Sequence, residues 1–450
     1  MPSPGELPDT FFLRTFGCQM NEHDSERICG LLGQLGLARV ERADDAGMLV
    51  YNTCSIREKA DTRLLGHLGE ARRLKRLDPR RLVVVAGCLA QSRQTEFFAE
   101  FPFVDVLVGP QSLHELPLLL NERIESGRQA GAFEESTSRW SAELPRARRD
   151  GPLAWVQIMT GCSNYCSYCI VPYVRGPEAS RPLRDIRREV AELAEQGVKE
   201  LTLLGQNVNA YGNERASGAG GDFPALLEEL AGIDGVERIR FMTSHPKDVS
   251  SRLIQALAEL EPVCEHVHLP VQCGSDRILR AMNRGYERDD YLRLVGRLRE
   301  AVPGLALTTD LIVAFPGETE AEFADTLSLM DEVGFDAAFT FVYSPRSQTA
   351  AAALPGRAAP QVAEERMGRL VERIQTHAAR RNQELVGTRV EVMVEGRSRQ
   401  SGEVAMGRTR TFKTVNFPGE PHPGDLVEVV IDEATSTSLR GRRAALVTER

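Results

Sequence analysis

Three cysteines fall within one short stretch, GCSNYCSYC, at Cys162, Cys166 and Cys169. Four thiolates close a tetrahedral zinc site or ligate every iron of an iron–sulfur cluster, whereas three leave one coordination position free. The C-x3-C-x2-C spacing also differs from that of zinc sites, which usually carry two C-x2-C pairs. A 4Fe–4S cluster on these thiolates would keep one iron open to a substrate or cofactor. Zinc and unliganded loop cysteines remain the alternatives.

A second set of three cysteines follows predicted strands near the start of the chain. Cys18, Cys54 and Cys88 stand just past the apolar runs FFLRTF, GMLVYN and LVVVAG, whereas a core cysteine would fall within such a run. Because parallel strands bring their carboxyl ends to one edge of a sheet, we expect the three to converge. Gly17 and Gly87 directly precede two of them and would permit close approach of the backbone. This pattern favours a metal site over chance.

The elements that must position these residues alternate between strand and helix. Over residues 10–125 the apolar runs are separated by helical patterns at Asp24–Leu35, Ile56–Leu77 and Gln91–Phe101. This alternation predicts a domain built on a parallel α/β sheet. The polar, aperiodic residues 126–150 are predicted to be a linker.

The middle of the chain repeats the alternation six times, from residue 151 to residue 383. Six β/α units are too few for a complete eight-fold barrel and predict a partial (β/α)6 barrel. Polar segments follow the predicted strands, and such barrels carry their sites at that end. The loop with the three closely spaced cysteines also follows a strand, so it should face the barrel cavity.

The C-terminal residues 386–448 read as short alternating strands separated by glycine turns and predict a small all-β barrel. The net charge of −9 argues against a chain coated for nucleic acid, but this segment is nearly neutral. Its stretch GRTRTFKTVNF alternates Arg408, Arg410 and Lys413 with Phe412. Cations there could meet phosphates while a ring stacks on a base. An amphipathic strand with buried phenylalanine is the alternative.

Composition places the chain among globular proteins, with 42% hydrophobic and 26% charged residues. No apolar run approaches the ~20 residues of a membrane helix, and the first residues lack the features of a signal peptide. We therefore expect a cytoplasmic protein. In a reducing compartment, nine cysteines favour metal or catalytic roles over a disulfide framework.

With Tyr168 before its last cysteine, GCSNYCSYC resembles the cluster loop of radical S-adenosylmethionine enzymes. The order of the three blocks resembles the narrower methylthiotransferase family, whose C-terminal barrel, called TRAM, binds RNA. The stretches TFGCQMNEHDSE and NTCSIREKA resemble the branch of that family that acts on tRNA. The branches that act on a ribosomal protein and on threonylcarbamoyl-adenosine typically carry Pro-Lys and Lys-Val after the first cysteine, where this chain has Gln19 and Met20.

The resemblance implies two 4Fe–4S clusters and S-adenosylmethionine as cofactors. One cluster would cleave S-adenosylmethionine to a 5′-deoxyadenosyl radical, and the other would supply sulfur. The implied substrate is tRNA, in which N6-isopentenyladenosine on the 3′ side of the anticodon becomes its 2-methylthio derivative. A flavodoxin- or ferredoxin-type electron donor and a sulfur or cluster-assembly donor are implied as partners, with no membrane. The implied cluster ligands are Cys18, Cys54, Cys88, Cys162, Cys166 and Cys169.

Further site residues follow from the resemblance and from position at strand ends, although Asn207 could instead cap a helix and His245 could stabilise a turn. The expected cofactor or substrate contacts are Tyr168, Gln206, Asn207, Ser244, His245 and Gln272. The expected RNA contacts are Arg408, Arg410, Phe412 and Lys413. The resemblance identifies no catalytic residue beyond the cluster ligands.

Some residues depart from the family pattern or lie outside it. Pro177 stands where a basic residue is usual, Ala314 where glycine is usual, and Cys273 where serine is usual. Cys29 falls on an apolar helix face and is expected in the core. Two alternatives remain: a sister methylthiotransferase for threonylcarbamoyl-adenosine or a ribosomal-protein Asp, and an iron–sulfur RNA-binding protein without turnover.

Overall fold

The computed structural model describes residues 6–55, 58–134, 143–148, 151–214, 218–398 and 404–444. Its helices are α1 (Gln19–Gln34), α2 (Glu58–Leu77), α3 (Cys88–Glu100), α4 (Leu116–Ser126), α5 (Val171–Arg175), α6 (Leu183–Glu195), α7 (Phe223–Ala231), α8 (Ser251–Glu259), α9 (Asp276–Ala281), α10 (Arg288–Ala301), α11 (Glu320–Val333) and α12 (Pro360–Gln383).

The strands of the first two regions are β1 (Thr10–Thr15), β2 (Ala38–Arg39), β3 (Met48–Thr53), β4 (Leu82–Gly87), β5 (Val106–Val108), β6 (Ala130–Ala132), β7 (Leu153–Gln157), β8 (Met159–Thr160), β9 (Ala179–Ser180), β10 (Glu200–Leu204), β11 (Arg238–Phe241), β12 (His266–His268), β13 (Ala306–Val313) and β14 (Ala337–Val342). The strands of the third are β15 (Arg389–Arg397), β16 (Ala405–Thr409), β17 (Thr414–Phe417), β18 (Leu426–Ala434) and β19 (Leu439–Arg443).

The N-terminal region is a six-stranded parallel sheet in the order β2-β1-β3-β4-β5-β6. Its central strands β3 and β4 are buried along their whole length, as continuous apolar runs in a parallel sheet require. Helices α1 and α4 pack on one face, and α2 and α3 pack on the other. The predicted α/β sheet is confirmed. Cys29 lies in its core with 5% of its surface exposed, as predicted.

The predicted linker is wrong at its start. Residues 130–132 form β6, which pairs in parallel with β5 and extends the sheet by one strand. The segment reads Ala-Gly-Ala, so it is too short and too weakly apolar for a strand pattern to be visible in the sequence. Residues 135–142 and 149–150 of that linker lie outside the described residues, as do 56–57 of a predicted helix.

The central region holds six parallel strands in two groups of three, β7-β10-β11 and β12-β13-β14. A parallel bridge between Ile239 and Val263 joins the groups. Amphipathic helices cover the outside; α6, for example, turns Ile186, Val190 and Leu193 into the core. The partial barrel predicted from six repeats is confirmed, and its strands end towards the loops that carry the polar segments.

The long helix α12 leads into a closed five-stranded barrel in the order β15-β16-β17-β19-β18. Its core is built from alternating strand residues such as Val392, Val415, Phe417 and Val429. The predicted all-β barrel is confirmed over the described part, which ends at residue 444. Within the described parts of the chain, no helix combines the length and apolar character needed to cross a bilayer.

Two candidate metal centres

The first three cysteines, here called the sheet-edge triplet, are Cys18, Cys54 and Cys88. Cys18 directly precedes α1, Cys54 follows β3, and Cys88 is the first residue of α3. The strands before them, β1, β3 and β4, are neighbours in the sheet, so their loops meet at one edge. The thiol of Cys18 forms a hydrogen bond with that of Cys54, and its charge acts on Cys88. The predicted convergence is confirmed.

Two glycines allow this close approach. Gly17 has φ +131°, and a Cβ there would lie 2.4 Å from the Cβ of Cys54. Gly87 has φ +95°, and a Cβ there would lie 2.4 Å from the carbonyl oxygen of Thr53. Both positions therefore require the absence of a side chain, as the sequence indicated.

Two buried asparagines, hydrogen-bonded to each other, lie next to Cys18 of the sheet-edge triplet. Asn21 Oδ1 lies 3.3 Å from Cys18 Sγ, and Asn21 Nδ2 donates to Asn52 Oδ1 at 3.1 Å. Asn52 donates in return to the carbonyl oxygen of Asn21 at 2.7 Å. The hydrogen bond with Cys54 and the charge of Arg175 outweigh burial and lower the pKa of Cys18 to about 6. Cys18 is therefore a thiolate at neutral pH, which is the form that binds metal.

Arg175, which the sequence analysis did not single out, reaches this triplet from the central region. Its Nε donates to Cys88 Sγ at 3.3 Å, and its Nη2 donates to Asp24 Oδ2 at 2.8 Å. Its own carbonyl accepts from Gln111 Nε2. Only 3% of Arg175 is exposed. Burial raises the pKa of the Cys88 thiol although the guanidinium opposes this.

The second three cysteines, here called the loop triplet, are Cys162, Cys166 and Cys169. They lie between β8 and α5 and are held by main-chain bonds, from Cys162 N–H to the Gly176 carbonyl at 3.1 Å and from Cys169 N–H to the Cys166 carbonyl at 2.9 Å. Gly161 begins the loop with φ +75°, and a Cβ there would lie 1.9 Å from the carbonyl oxygen of Pro177. The loop is therefore folded tightly against the segment after α5.

Two thiols of the loop triplet differ chemically from the Cys18 thiol of the sheet-edge triplet. Burial raises the pKa of Cys162 to about 11 and that of Cys169 to about 12. The charges of the neighbouring cysteines add to both shifts. Without a metal, Cys162 and Cys169 are protonated at neutral pH, so metal binding to them must release protons.

A second buried arginine, also not predicted from the sequence, reaches the loop triplet. Arg284 Nη1 donates to Cys166 Sγ at 3.3 Å and lies 3.4 Å from the hydroxyl of Tyr168. Its other nitrogens donate to the Tyr286 hydroxyl at 2.9 Å and to the Pro270 carbonyl at 2.8 Å. Arg284 lies in the turn after α9, more than a hundred residues from the loop, so no local pattern marks it.

The spacing of both triplets fits a cluster better than a single metal ion. Zn–S bonds of about 2.3 Å would hold ligand sulfurs within about 4.6 Å of one another. Among the described residues, three possible donor atoms all within 4.8 Å of one another occur at His114, Glu115 and Glu134, and neither triplet is that compact. Three cysteine ligands also suit a cluster that keeps one iron open.

The predicted cofactor contacts fit a polar ligand beside the loop triplet. Buried polar atoms in proteins are nearly always hydrogen-bonded. Four of the six predicted residues nevertheless bury an atom without a partner: Gln206 Oε1, Asn207 Oδ1, Ser244 Oγ and His245 Nε2. They lie on the loops after β10 and β11. A cofactor with amino, carboxylate and hydroxyl groups, such as S-adenosylmethionine, would satisfy them.

His245 is a neutral donor in this group. Its Nδ1 accepts from the Lys247 N–H at 3.3 Å, so the proton resides on Nε2. Burial and the charge of Arg284 lower the pKa of His245 to about 2. Its ring meets that of Tyr286 edge-on at 5.7 Å, which links this loop through Arg284 to the cysteines.

The other two predicted contacts are placed differently. Tyr168 packs against the core and lies beside Arg284, as described above. Gln272 adopts φ +74°, and its main chain bridges to β13 through the Asp310 carbonyl at 2.9 Å. Asn207 does lie at the start of a short helical turn, but its side chain makes no capping bond and instead donates to Asp248 at 2.8 Å.

The residues predicted to bind RNA lie in a seam between the C-terminal barrel and the base of the central barrel. Arg410 pairs with Glu265 at 2.9 Å, and Lys413 pairs with Asp336 at 2.8 Å. Arg408 pairs with Glu395 at 2.9 Å. Their charges are therefore committed to protein carboxylates.

Phe412 completes this seam. Its ring stacks on His266 at 5.0 Å, and the guanidinium groups of Arg240 and Arg408 lie 5.1 and 4.2 Å from its centre. The geometry thus assigns an interdomain role to the side chains of Arg410, Lys413 and Phe412, and RNA contact at all four residues stays a prediction. The alternation of cations and rings could not reveal this, because their partners come from distant parts of the chain.

Comparison with family models divides the chain in three. Residues 10–109 match an uncharacterized protein family, UPF0004, residues 156–330 match the radical SAM superfamily, and residues 383–443 match the TRAM domain. Among solved structures, a radical S-adenosylmethionine methyltransferase, TsrM from Kitasatospora setae, is similar over 77% of each chain with a TM-score of 0.55. Its 16% identity supports the fold alone.

Curated relatives are much more similar. The tRNA-2-methylthio-N(6)-dimethylallyladenosine synthase of Moorella thermoacetica is 47% identical over 96% of this chain and 98% of the relative. The protein of the same name from Legionella pneumophila is 44% identical over 96% of this chain and 97% of the relative. With three matching domains and this identity along nearly the whole length, the chain belongs to the tRNA-2-methylthio-N(6)-dimethylallyladenosine synthase family of radical S-adenosylmethionine enzymes.

Proposed function

We propose that this protein is a tRNA methylthiotransferase. It converts N6-isopentenyladenosine, on the 3′ side of the anticodon, into its 2-methylthio derivative. When bound, two 4Fe–4S clusters and S-adenosylmethionine supply the radical, the sulfur and the methyl group with which C–S–CH3 replaces the C2–H of the adenine. Family membership and the relatives' names support this assignment.

The two triplets divide the work. The loop triplet supplies three thiolates to the cluster that generates the radical, and the unpaired polar atoms of Asn207, Ser244 and His245 bind S-adenosylmethionine beside it. His245 donates a hydrogen bond there and exchanges no proton near neutral pH, since its pKa is lowered to about 2. The sheet-edge triplet supplies three thiolates to the cluster that delivers sulfur.

One observation carries this proposal: the chain brings two separate sets of three cysteines together, and α5 connects the two sites. A single radical-generating site would need only the loop triplet. A second site with three thiolates, two supporting asparagines and a buried arginine fits a separate step of the reaction. Sulfur insertion is the step that the relatives' product requires and that a radical alone does not supply.

The remaining assignments rest on the family and the sequence. We infer three functional domains, at 10–125, 151–383 and 386–448, of which the last contacts tRNA. Because the cations of the seam are paired with carboxylates, RNA must also contact other surfaces. A flavodoxin- or ferredoxin-type donor for electrons and a sulfur or cluster-assembly donor complete the cycle, and the protein works in the cytoplasm.

The test is mass spectrometry of tRNA nucleosides from the source organism with the gene deleted and then restored. We expect the methylthio-isopentenyl nucleoside to disappear and its precursor without the methylthio group to accumulate. Restoring the wild-type gene should return the product, and restoring Cys18→Ala or Cys162→Ala should not. Loss of the methylthio form of threonylcarbamoyl-adenosine instead would assign the sister activity. An unchanged tRNA profile would contradict the proposal.

A further inference from the structure

Arg175 belongs by sequence to the central region, but its side chain is bound by the N-terminal domain. Its guanidinium lies between Cys88 Sγ, at 3.3 Å, and Asp24 Oδ2, at 2.8 Å. Its carbonyl is bound by Gln111 of the same domain. Asp24 and Cys88 are almost fully buried, with 1% and 0% of their surfaces exposed. A charge-assisted pair at this depth is stable only if its geometry is kept.

The helix that ends at Arg175 also begins at the other metal centre. Helix α5 starts at Val171, two residues after Cys169, and covers five residues. A helix of that length spans about 7.5 Å. Ile170 and Val174, on either side of its first turn, pack against Cys88. The loop triplet and the sheet-edge triplet are therefore connected by about one and a half turns of buried helix.

We propose that Arg175, oriented by Asp24, is a positioning residue for the sulfur-delivering cluster. It holds Cys88 against α5, and so fixes the sheet-edge triplet relative to the loop triplet, and it tunes the cluster through an N–H···S hydrogen bond. The inference rests on the proposed function, since it requires a cluster on each triplet. It adds a residue that acts on the cluster through a ligand and across a domain boundary.

The direction of the tuning follows from charge. A cation that donates a hydrogen bond to a ligand sulfur stabilises the reduced, more negative cluster and raises its reduction potential. Asp24 offsets part of this charge while it orients the guanidinium. Removal of the Arg175 charge should therefore lower the potential of the sulfur-delivering cluster.

Arg284 provides the matched control, because it donates to Cys166 of the loop triplet at the same distance, 3.3 Å. It is also buried, with 4% of its surface exposed. Among the described residues it has no carboxylate within ion-pair distance; its partners are two tyrosine hydroxyls and a carbonyl. The two arginines should act on different clusters.

The test measures the potential of each cluster separately in the reconstituted full-length protein. In one background Cys162, Cys166 and Cys169 are all changed to Ala, which leaves only the cluster of the sheet-edge triplet. In the other Cys18, Cys54 and Cys88 are changed to Ala. Wild-type sequence, Arg175→Met, Arg175→Lys and Arg284→Met are then compared in each background by redox titration followed by electron paramagnetic resonance, together with iron content.

We expect Arg175→Met to lower the potential of the sheet-edge cluster, or to release its iron, while the loop cluster is unchanged. Arg175→Lys keeps the charge but cannot bind Asp24 and Cys88 with one planar fork, so its shift should be smaller. Arg284→Met should show the opposite selectivity. In the protein with both triplets, Arg175→Met should lower the yield of methylthiolated product per 5′-deoxyadenosine formed.

Two results would overturn the inference: an unchanged potential of the sheet-edge cluster in Arg175→Met, or equal shifts of both clusters, which would indicate a general structural role. Loss of iron from both backgrounds in Arg175→Met would likewise indicate a general structural role and overturn the inference. If the wild-type backgrounds do not each bind one cluster, the proposed function itself fails, and this outcome is distinct because it appears before any arginine is changed.

Discussion

The sheet-edge triplet and the loop triplet present the same three ligands in different ways. The loop triplet comes from one short segment, whose shape depends on Gly161 and on the main-chain bonds of Cys162 and Cys169. The sheet-edge triplet comes from three strand–helix junctions and exists only once β1, β3 and β4 are paired. The first can be recognised as a motif. The second can be recognised only by deducing the topology.

The surroundings differ as well. The sheet-edge triplet has Cys18 with a pKa lowered to about 6, two asparagines beneath it and an arginine neutralised by Asp24. In the loop triplet Cys162 and Cys169 have raised pKa values, and neighbouring polar atoms lack partners. The group of unpartnered atoms beside the loop triplet fits a site for a second molecule, whereas beside the sheet-edge triplet Ser55 Oγ, next to Cys54, lacks a partner.

The largest expected effect separates the two triplets by their chemistry. Cys162→Ala should abolish both the methylthiolated nucleoside and 5′-deoxyadenosine, because it removes a ligand from the radical-generating site. Cys18→Ala should abolish the nucleoside but leave 5′-deoxyadenosine formation largely intact. Chromatography of the small-molecule products with purified, reduced protein measures both. Full methylthiolation by Cys18→Ala would falsify the two-cluster assignment.

Glycine substitutions should separate the triplets by their assembly. Gly161→Ala places a Cβ 1.9 Å from the Pro177 carbonyl, and Gly87→Ala places one 2.4 Å from that of Thr53, each at positive φ. Each variant should lose about half of the bound iron, the first from the loop triplet and the second from the sheet-edge triplet. Gly197→Ala, at φ +86° with open space around it, controls for backbone strain of about 1–2 kcal/mol without a clash. Iron content equal to wild type in Gly161→Ala would contradict the tight packing.

The thiols of the metal-free protein should differ in their dependence on pH. With a pKa of about 6, Cys18 is mostly thiolate at pH 7, and its alkylation should fall by about tenfold per pH unit below pH 6. Cys162 is similarly half-buried, but its pKa of about 11 keeps it protonated there. Peptide mass spectrometry after brief iodoacetamide treatment should show Cys18 labelled about tenfold or more faster. Equal rates at pH 7 would show that the two environments do not differ as described.

The smallest expected effect concerns the polar atoms beside the loop triplet. Ser244→Ala removes one buried hydroxyl without a partner and should weaken S-adenosylmethionine binding by about two- to twelvefold, the equivalent of one hydrogen bond. Ser55→Ala is the matched control, since its hydroxyl is also buried and unpaired but follows Cys54 of the other triplet. The KM for S-adenosylmethionine in 5′-deoxyadenosine formation measures both. A larger increase of this KM in Ser55→Ala than in Ser244→Ala would place the cofactor site beside the sheet-edge triplet instead.

The sequence predicted what depends on periodicity and topology. Runs such as LVVVAG are strands in the structure, and the positions of Cys18, Cys54 and Cys88 after three strands led to their convergence. Loop positions also led to the prediction that Asn207, Ser244 and His245 contact the cofactor, and each of them buries a polar atom without a partner. These inferences need only the chain direction of each element.

What the sequence did not predict depends on pairing between distant residues. Arg175 ends a short helix and Arg284 lies in a turn, and nothing marks either residue until the fold buries it against a cysteine far away in the chain. Arg410 and Lys413 fit an RNA-binding pattern, but Glu265 and Asp336, which come from other elements, neutralise them. Ala314, where glycine is usual, has φ +59°, so the structure keeps the glycine-like conformation despite the substitution.

The seam at the base of the central barrel ties the C-terminal barrel to the central barrel, so the two cannot be separated without exposing buried groups. Arg238 and Arg240 are fully buried, and they donate to the carbonyl oxygens of Arg408, Thr409 and Arg410 in the C-terminal barrel. If the chain ended after α12, these guanidinium groups and the face of the His266 ring would lose their partners in the C-terminal barrel. The C-terminal barrel thus covers the base of the central barrel in addition to forming a separate domain. Its deletion would therefore disturb the folding of the central barrel, and this effect would precede any loss of affinity for tRNA.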